Sequence, residues 1–130
     1  MAEPHVKDVW VYIASPYSKG DAAMNVRTQM KVWDAAIDMP GVIPIAPLWS
    51  HFQHLAFPRP YETWLQYDKS IIERCDVCVR MTAFEGHIKY WQDESPGADA
   101  EVALFVAAGK PVFQNLIQLQ EWLRTQRGVS

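Results

Sequence analysis

Cationic side chains are in the minority in this chain. Twelve lysines and arginines stand against 15 aspartates and glutamates, for a net charge of −3. That balance lacks the basic footprint with which proteins hold duplex nucleic acid, so no duplex partner is expected. Small anions stay open as ligands, because helix N-termini and single Arg or Lys side chains bind them whatever the net charge. Long apolar runs are also missing. The longest lies near Val102 to Ala108, far too short to cross a bilayer. The opening residues Met-Ala-Glu-Pro-His lack the basic-then-apolar order of a secretory leader. A cytoplasmic protein with no membrane partner is therefore expected.

Cysteine is scarce too, at two residues. Cys75 and Cys78 form a C-x-x-C, and with the His51-x-x-His54 pair they formally supply four zinc ligands. Two features argue otherwise. Cys78 sits inside the apolar alternation Val77-Cys78-Val79, where a free cysteine packs as a small hydrophobe. A redox pair belongs at a helix N-terminus after a strand, whereas this pair closes a helix and enters a strand. No metal, disulfide or organic cofactor is expected.

What is present suits one globular domain. The 130 residues are 49% hydrophobic and 21% charged, enough to build a real core. No internal repeat, low-complexity tract or linker divides residues 1–130. Val9 to Ala14 is an uninterrupted β-rich run, as a buried parallel strand should be. The loop Ser15-Pro16-Tyr17-Ser18-Lys19-Gly20 follows, and Asp21 can cap a helix from Ala22 to about Asp38. Val42 to Ala46 is a short second strand that its proline assigns to an end or edge. Pro47 to Pro60 reads as a long connection rich in aromatics and histidine, Tyr61 to Arg74 as a helix, and Val77 to Met81 as a third strand. Thr82 to Glu94 is polar and irregular, long enough to suggest a substrate loop. Lys110 to Phe113 forms a fourth strand, and Leu116 to Arg127 a closing amphipathic helix.

Strands alternating with helices predict an α/β fold: a single Rossmann- or flavodoxin-like three-layer domain around a four- to five-stranded parallel sheet. Ligands in such folds collect beyond the carboxyl ends of the strands. Between the third and fourth strands lies the most informative segment, Ser95 to Pro111. It reads as a helix with Ser95 as N-cap, Pro96 at the first helical position, Gly109 as the stop and Pro111 beyond. From Ala100 to Ala108 every residue but Glu101 is apolar, which predicts a helix buried over most of its surface. A lone carboxylate there either complements the helix dipole or is held for chemistry.

Three groups of residues, in this order and spacing, resemble the nucleoside 2-deoxyribosyltransferase-like superfamily. They are Val11-Tyr12-Ile13-Ala14-Ser15-Pro16-Tyr17, Tyr67-Asp68-Lys69 ahead of Cys75-Asp76-Val77, and Ser95-x-Gly97-x-x-x-Glu101 ahead of Gly109-Lys110-Pro111. The superfamily holds deoxyribosyltransferases, 2'-deoxynucleoside 5'-monophosphate N-hydrolases and small bacterial and phage relatives. Pro60-Tyr61-Glu62-x-Trp64-x-x-Tyr67-Asp68 is most similar to the last group.

The resemblance implies a retaining cleavage of an N-glycosidic bond. Glu101 matches the nucleophile that attacks C1' of the sugar, which suits an oxocarbenium-like transition state. Tyr12 matches the tyrosine that orients it, and Asp68 the acid at the departing base. Ser15, Pro16, Tyr17, Ser95 and Gly97 are implied around the substrate. A serine six residues before the nucleophile goes with the monophosphate hydrolases, and an aspartate with the transferases; a hydroxyl at a helix N-terminus suits a 5'-phosphate. Ser18 and Lys19 are candidates for the same pocket. Asp99 is an extra acid that is either solvated or set to meet the ligand. His51, His54, Trp49, Phe52 and Trp64 are candidates for a base-stacking wall. The resemblance also implies a homodimer or larger homo-oligomer with a residue lent by a neighbouring subunit, for which Gln114 and Asn115 are weak candidates. Three functions follow: a nucleotide N-hydrolase, a base-exchanging deoxyribosyltransferase, or a nucleotide-binding module without turnover.

Overall fold

The computed structural model describes residues 7–15, 22–81 and 96–128. The chain runs β1 (Val9–Ala14), α1 (Ala22–Ala36), β2 (Val42–Ile45), a 3-10 turn (Pro47–Trp49), α2 (Ser50–Ala56) and α3 (Tyr61–Arg74). It continues through β3 (Val77–Arg80), α4 (Pro96–Ala107), β4 (Val112–Phe113) and α5 (Leu116–Gln126). The four strands form one sheet in the order β2-β1-β3-β4, with all neighbouring pairs parallel. This is the α/β three-layer arrangement expected from the alternation of strands and helices.

The two faces of the sheet can be read from strand parity. Val11 of β1 and Val77 and Val79 of β3 pack with Ala36 of α1 and with Leu119 and Leu123 of α5. Tyr12, Ala14 and Cys78 pack on the other face with Ile72 of α3 and with Ala98 and Phe105 of α4. Side chains alternate across a strand, so α1 and α5 cover one face and α3 and α4 the other. Asp76 locks the lower ends of β1 and β3 together. Its carboxylate accepts the Trp10 N–H at 2.8 Å, and its own N–H donates to the Trp10 carbonyl at 2.9 Å. Pro44 lies in β2, the outer strand, where a missing N–H interrupts no second ladder. Its carbonyl accepts the Trp33 indole N–H at 2.9 Å.

Helix ends explain several boundaries. Gly41 turns the chain into β2 and Gly109 follows the end of α4, each at φ 72°, a backbone conformation that costs other residues more. Lys110, just after the second, sends its ammonium to the carbonyls of Ile72 and Glu73 at 3.3 and 3.1 Å, capping the C-terminus of α3. Asn115 caps α5 by accepting the Gln118 N–H at 2.8 Å, while the Gln118 side chain accepts the Gln114 N–H at 2.9 Å. This reciprocal pair resembles a capping box, and it commits the Asn115 oxygen to the fold.

Two expectations are corrected. Pro47 to Pro60 is not an irregular connection, since most of it is helical. Pro47 starts the turn at a position where its missing N–H is harmless. The second concerns α4, which is not buried over most of its surface. Ala98 and Phe105 are buried, yet Leu104 and Val106 are 37% and 63% exposed. A helix lying on a sheet buries one side only, and no described element covers the other. Among the described residues no helix is long and apolar enough to cross a membrane.

Candidate functional site

The chain leaves β1 for β2 on one side and returns past it to β3 on the other, so the β1/β3 boundary is the topological switch point of the sheet. In open α/β sheets that boundary, at the carboxyl ends of the strands, is where ligands bind. Tyr12 and Arg80 stand on either side of it, on adjacent strands and on the face covered by α4.

Tyr12 is fully buried and donates its hydroxyl proton to Oε2 of Glu101. Its ring packs 5.8 Å from Phe105, which fixes the phenol from the α4 side. Burial holds the phenol well above its ordinary pKa, and the charges of Glu101 and Asp68 add to the effect, so Tyr12 remains a neutral donor. Glu101 lies in the second turn of α4. Burial pushes its carboxyl up to about 8, opposed by the Tyr12 hydrogen bond and the Arg80 charge and reinforced by Asp68. A helix N-terminus and a neighbouring hydroxyl both favour the ionised carboxylate. The hydroxyl is in place, but loss of water outweighs it.

Asp68 belongs to α3 and is half-buried. Its Oδ1 is shielded from solvent with no hydrogen-bond partner among the described residues, and burial raises its carboxyl to about 6. Two carboxyls with pKa values raised into the neutral range, beside one neutral phenol, form an acid–base constellation. Thiol chemistry is disfavoured at this spot. Burial lifts Cys75 to about 11 and Cys78 to about 12, and both pack in the core beside Tyr12 as free thiols.

Arg80 was not anticipated from the sequence. It ends β3 with its side chain only 10% exposed, and its guanidinium donates to Oδ1 of Asp99 at 3.3 Å from Nη2 and 3.4 Å from Nε. Nη1 donates to the carbonyl of Met81. The available signal was a charge closing an apolar strand at its carboxyl end, Val77-Cys78-Val79-Arg80. Asp99, 62% exposed, is thus tied to the protein. Gly97 is exposed in the first turn of α4, and an added Cβ would meet no described atom within 4 Å.

Other candidates lie apart from the carboxyls. Ser15 is buried on the α1 side of the sheet, where its hydroxyl accepts from Gln29 Nε2 at 2.8 Å. Gln29 also donates to the Ile13 carbonyl and accepts the Leu48 N–H, each at 2.9 Å. This buried glutamine, also missed in the sequence, joins the carboxyl ends of β1 and β2 and gives Ser15 a structural partner. Pro16, Tyr17, Ser18, Lys19 and Ser95 lie outside the described residues.

The aromatic candidates divide. Trp49 and Trp64 line a cleft of about 700 Å³ together with Tyr67, Trp10 and Ile45, whereas His51 and Phe52 do not. Trp64 donates its indole N–H to Nδ1 of His54 at 2.9 Å. The cleft does not include Tyr12, Asp68 or Glu101; Asp68 sits one residue round α3 from Tyr67, on the next face of the helix. Among the described residues no cluster of three or more His, Cys, Asp and Glu could hold a metal ion. Comparison with protein-family models, with curated proteins and with solved structures finds no match for the chain.

Proposed function

We propose that this protein cleaves the N-glycosidic bond of a nucleoside 5'-monophosphate, ribo or deoxy, by a retaining mechanism on Glu101. The observation that carries the reading is the Tyr12 hydroxyl donating to one oxygen of the part-buried Glu101 carboxyl, beside an Asp68 whose Oδ1 is desolvated and unpartnered among the described residues. Engaging Oε2 leaves Oε1 as the oxygen that attacks. In the first half-reaction Oε1 of ionised Glu101 bonds to C1' while the bond from C1' to the base nitrogen breaks. The electron pair leaves with the base, which takes its proton from Asp68. In the second, Asp68 removes a proton from water, the water oxygen bonds to C1', and the Glu101 carboxylate departs. Two inversions at C1' retain configuration.

Several features support the parts of this reading. The site lies at the switch point of the sheet, where small ligands collect. A homodimer or larger homo-oligomer belongs to the same proposal, and the exposed Leu104 and Val106 on α4 favour it. Light scattering reads it directly: a monomer at all concentrations would remove that part.

One observation favours a second reading, a nucleotide-binding module without turnover. With burial holding the Glu101 carboxyl up to about 8, the group carries a proton at neutral pH and can donate to a ligand. Free base measured by chromatography separates the two. The protein is incubated with nucleosides and their 5'-monophosphates, ribo and deoxy, alongside Glu101→Ala. Release from monophosphates that disappears in the variant is expected. Release from unphosphorylated nucleosides alone, with exchange onto an added base, would make the protein a transferase. Ligand-induced stabilisation without release would make it the binding module.

A further inference from the structure

α4 has a problem of rotational register that most helices lack. An amphipathic helix is turned toward the core by its apolar stripe. From Ala98 to Ala107, however, every residue but Asp99 and Glu101 is apolar. Turning the helix by one residue's angle would exchange Phe105 for Leu104 or Val106 at the sheet, one apolar contact for another. Yet Phe105 is fully buried while Leu104 and Val106 are exposed, so apolar character alone does not select the rotation; the fit of the Phe105 ring beside Tyr12 and the polar ties of the helix do.

Two polar ties rise from the sheet to this helix. Tyr12 of β1 holds Glu101, and Arg80 of β3 holds Asp99. In the β1–β3 register Tyr12 is opposite Cys78 and Ala14 opposite Arg80, so the two ties stand on the same face one pleat apart. The Arg80 side chain is 10% exposed, and a rotation that withdrew Asp99 would strip an acceptor from a poorly solvated guanidinium. The fit of Phe105 against Tyr12 favours this rotation from within the core, and the ion pair, formed only when Asp99 faces Arg80, favours it as well.

We propose that the Arg80–Asp99 ion pair sets the rotation of α4 and so positions the Glu101 carboxyl at Tyr12 and the ligand crevice. Arg80 and Asp99 are positioning residues, acting through Glu101. The inference rests on Glu101 being the reacting carboxyl, and its test is built to fail separately from that reading.

The experiment compares Arg80→Met, Arg80→Lys and Asp99→Ala by NMR and by steady-state kinetics on a deoxynucleoside 5'-monophosphate. Contacts between the Tyr12 and Phe105 rings, 5.8 Å apart, report the rotation of α4. Protein labelled with ¹³C at the glutamate carboxyls, with Glu101 assigned through Glu101→Gln, reports its titration. The ring contacts should weaken in Arg80→Met and Asp99→Ala and persist in Arg80→Lys. The Glu101 midpoint should fall in Arg80→Met toward the ordinary carboxylate range, because a displaced carboxyl regains water. If Arg80 were only a nearby charge, its loss would raise that midpoint instead. A fall in kcat of about tenfold or more with KM within about threefold, recovered in Arg80→Lys, completes the expected pattern. Ring contacts unchanged in Asp99→Ala, or a raised midpoint in Arg80→Met, would overturn the proposal. Should Arg80→Met not fold, Asp99→Ala truncates an exposed side chain and its ring contacts decide the matter. If the wild-type protein releases no base while contacts and midpoint shift as stated, the glycosidase reading fails and the positioning role stands.

Discussion

Tyr12 and Glu101, 89 positions apart in the chain, are joined by a hydrogen bond from the phenol of a central strand to the carboxyl of a helix lying over it. Neither group is exposed enough to find water as an easy substitute. The tie constrains one carboxyl oxygen, and in the proposed reaction frees the other for attack.

Removing the donor tests this relationship. Tyr12→Phe keeps the ring and its contact with Phe105 but leaves Oε2 without its proton donor. The Tyr12 bond lowers the Glu101 pKa, so its loss moves the titration above the wild-type midpoint of about 8. At neutral pH less of the nucleophile is ionised, and kcat should drop by about tenfold to a hundredfold. Kinetics with the variant at wild-type rates would remove Tyr12 from the mechanism.

The proposed chemistry also fixes the shape of a pH profile. The productive form carries one proton on the pair, with Asp68 protonated and Glu101 ionised. With Asp68 at about 6 and Glu101 at about 8, kcat/KM should rise to about 6, level off, and fall above about 8. Because Glu101 is the weaker acid, the proton spends most of its time there, and the productive arrangement is a minority species. Asp68→Asn should convert the bell to a single rising limb. That limb should lie at or below about 8, because the Asp68 charge that raises Glu101 is gone. A bell surviving in Asp68→Asn would assign the acid elsewhere.

Folding stability should carry the same signature with a definite sign. A buried carboxyl with a raised pKa holds a proton that the unfolded chain releases, so stability falls as pH rises. For Glu101 the window runs from its ordinary 4.5 to about 8, and for Asp68 from 3.8 to about 6. The penalty is absent below these windows and complete above them. Glu101→Gln keeps an acceptor for Tyr12 and removes the charge. It should stabilise the fold above pH 8 by an amount on the order of several kcal/mol, and do little below pH 4.5. Thermal melts of both proteins at pH 4.5 and pH 9 make the comparison; a wild-type protein more stable than the variant at pH 9 would contradict burial as the dominant cause.

Phe105 links the core to the site. It is fully buried against Tyr12, and the Lys110 ammonium lies 5.8 Å from its ring centre. Phe105→Ala should cost roughly 3–5 kcal/mol through lost burial and the cavity left behind. It should also loosen Tyr12 and lower kcat further than the milder Phe105→Leu. Urea unfolding gives the first quantity; a loss below about 1 kcal/mol would show a site able to collapse.

Much of this arrangement was legible in the chain itself. The unbroken apolar runs of β1 and β3 marked inner parallel strands, Pro44 marked an outer one, and Gly109 marked the end of α4. Glu101 stood out as one charge in an apolar helix. The helical stretch at Pro47 to Ala56 was not legible, because its aromatics and histidines carry no clear period and no side-chain cap announces it. Nor was the outer face of α4. Composition reports how apolar a helix is, whereas its exposure depends on whether another layer lies above it.

The sequence by itself determined the alternation of strands and helices, and with it a parallel sheet whose crevice lies at one known edge. Local propensity, strand parity and helix stops act over a few residues and can be read in order along the chain. Only the tertiary structure decided that Arg80 meets Asp99, that Ser15 turns to Gln29 on the far face, and that burial rather than the Tyr12 hydroxyl governs the Glu101 proton. Those outcomes depend on which groups distant in sequence share a poorly solvated space, where a missing water or a neighbouring charge outweighs any preference a residue brings with it.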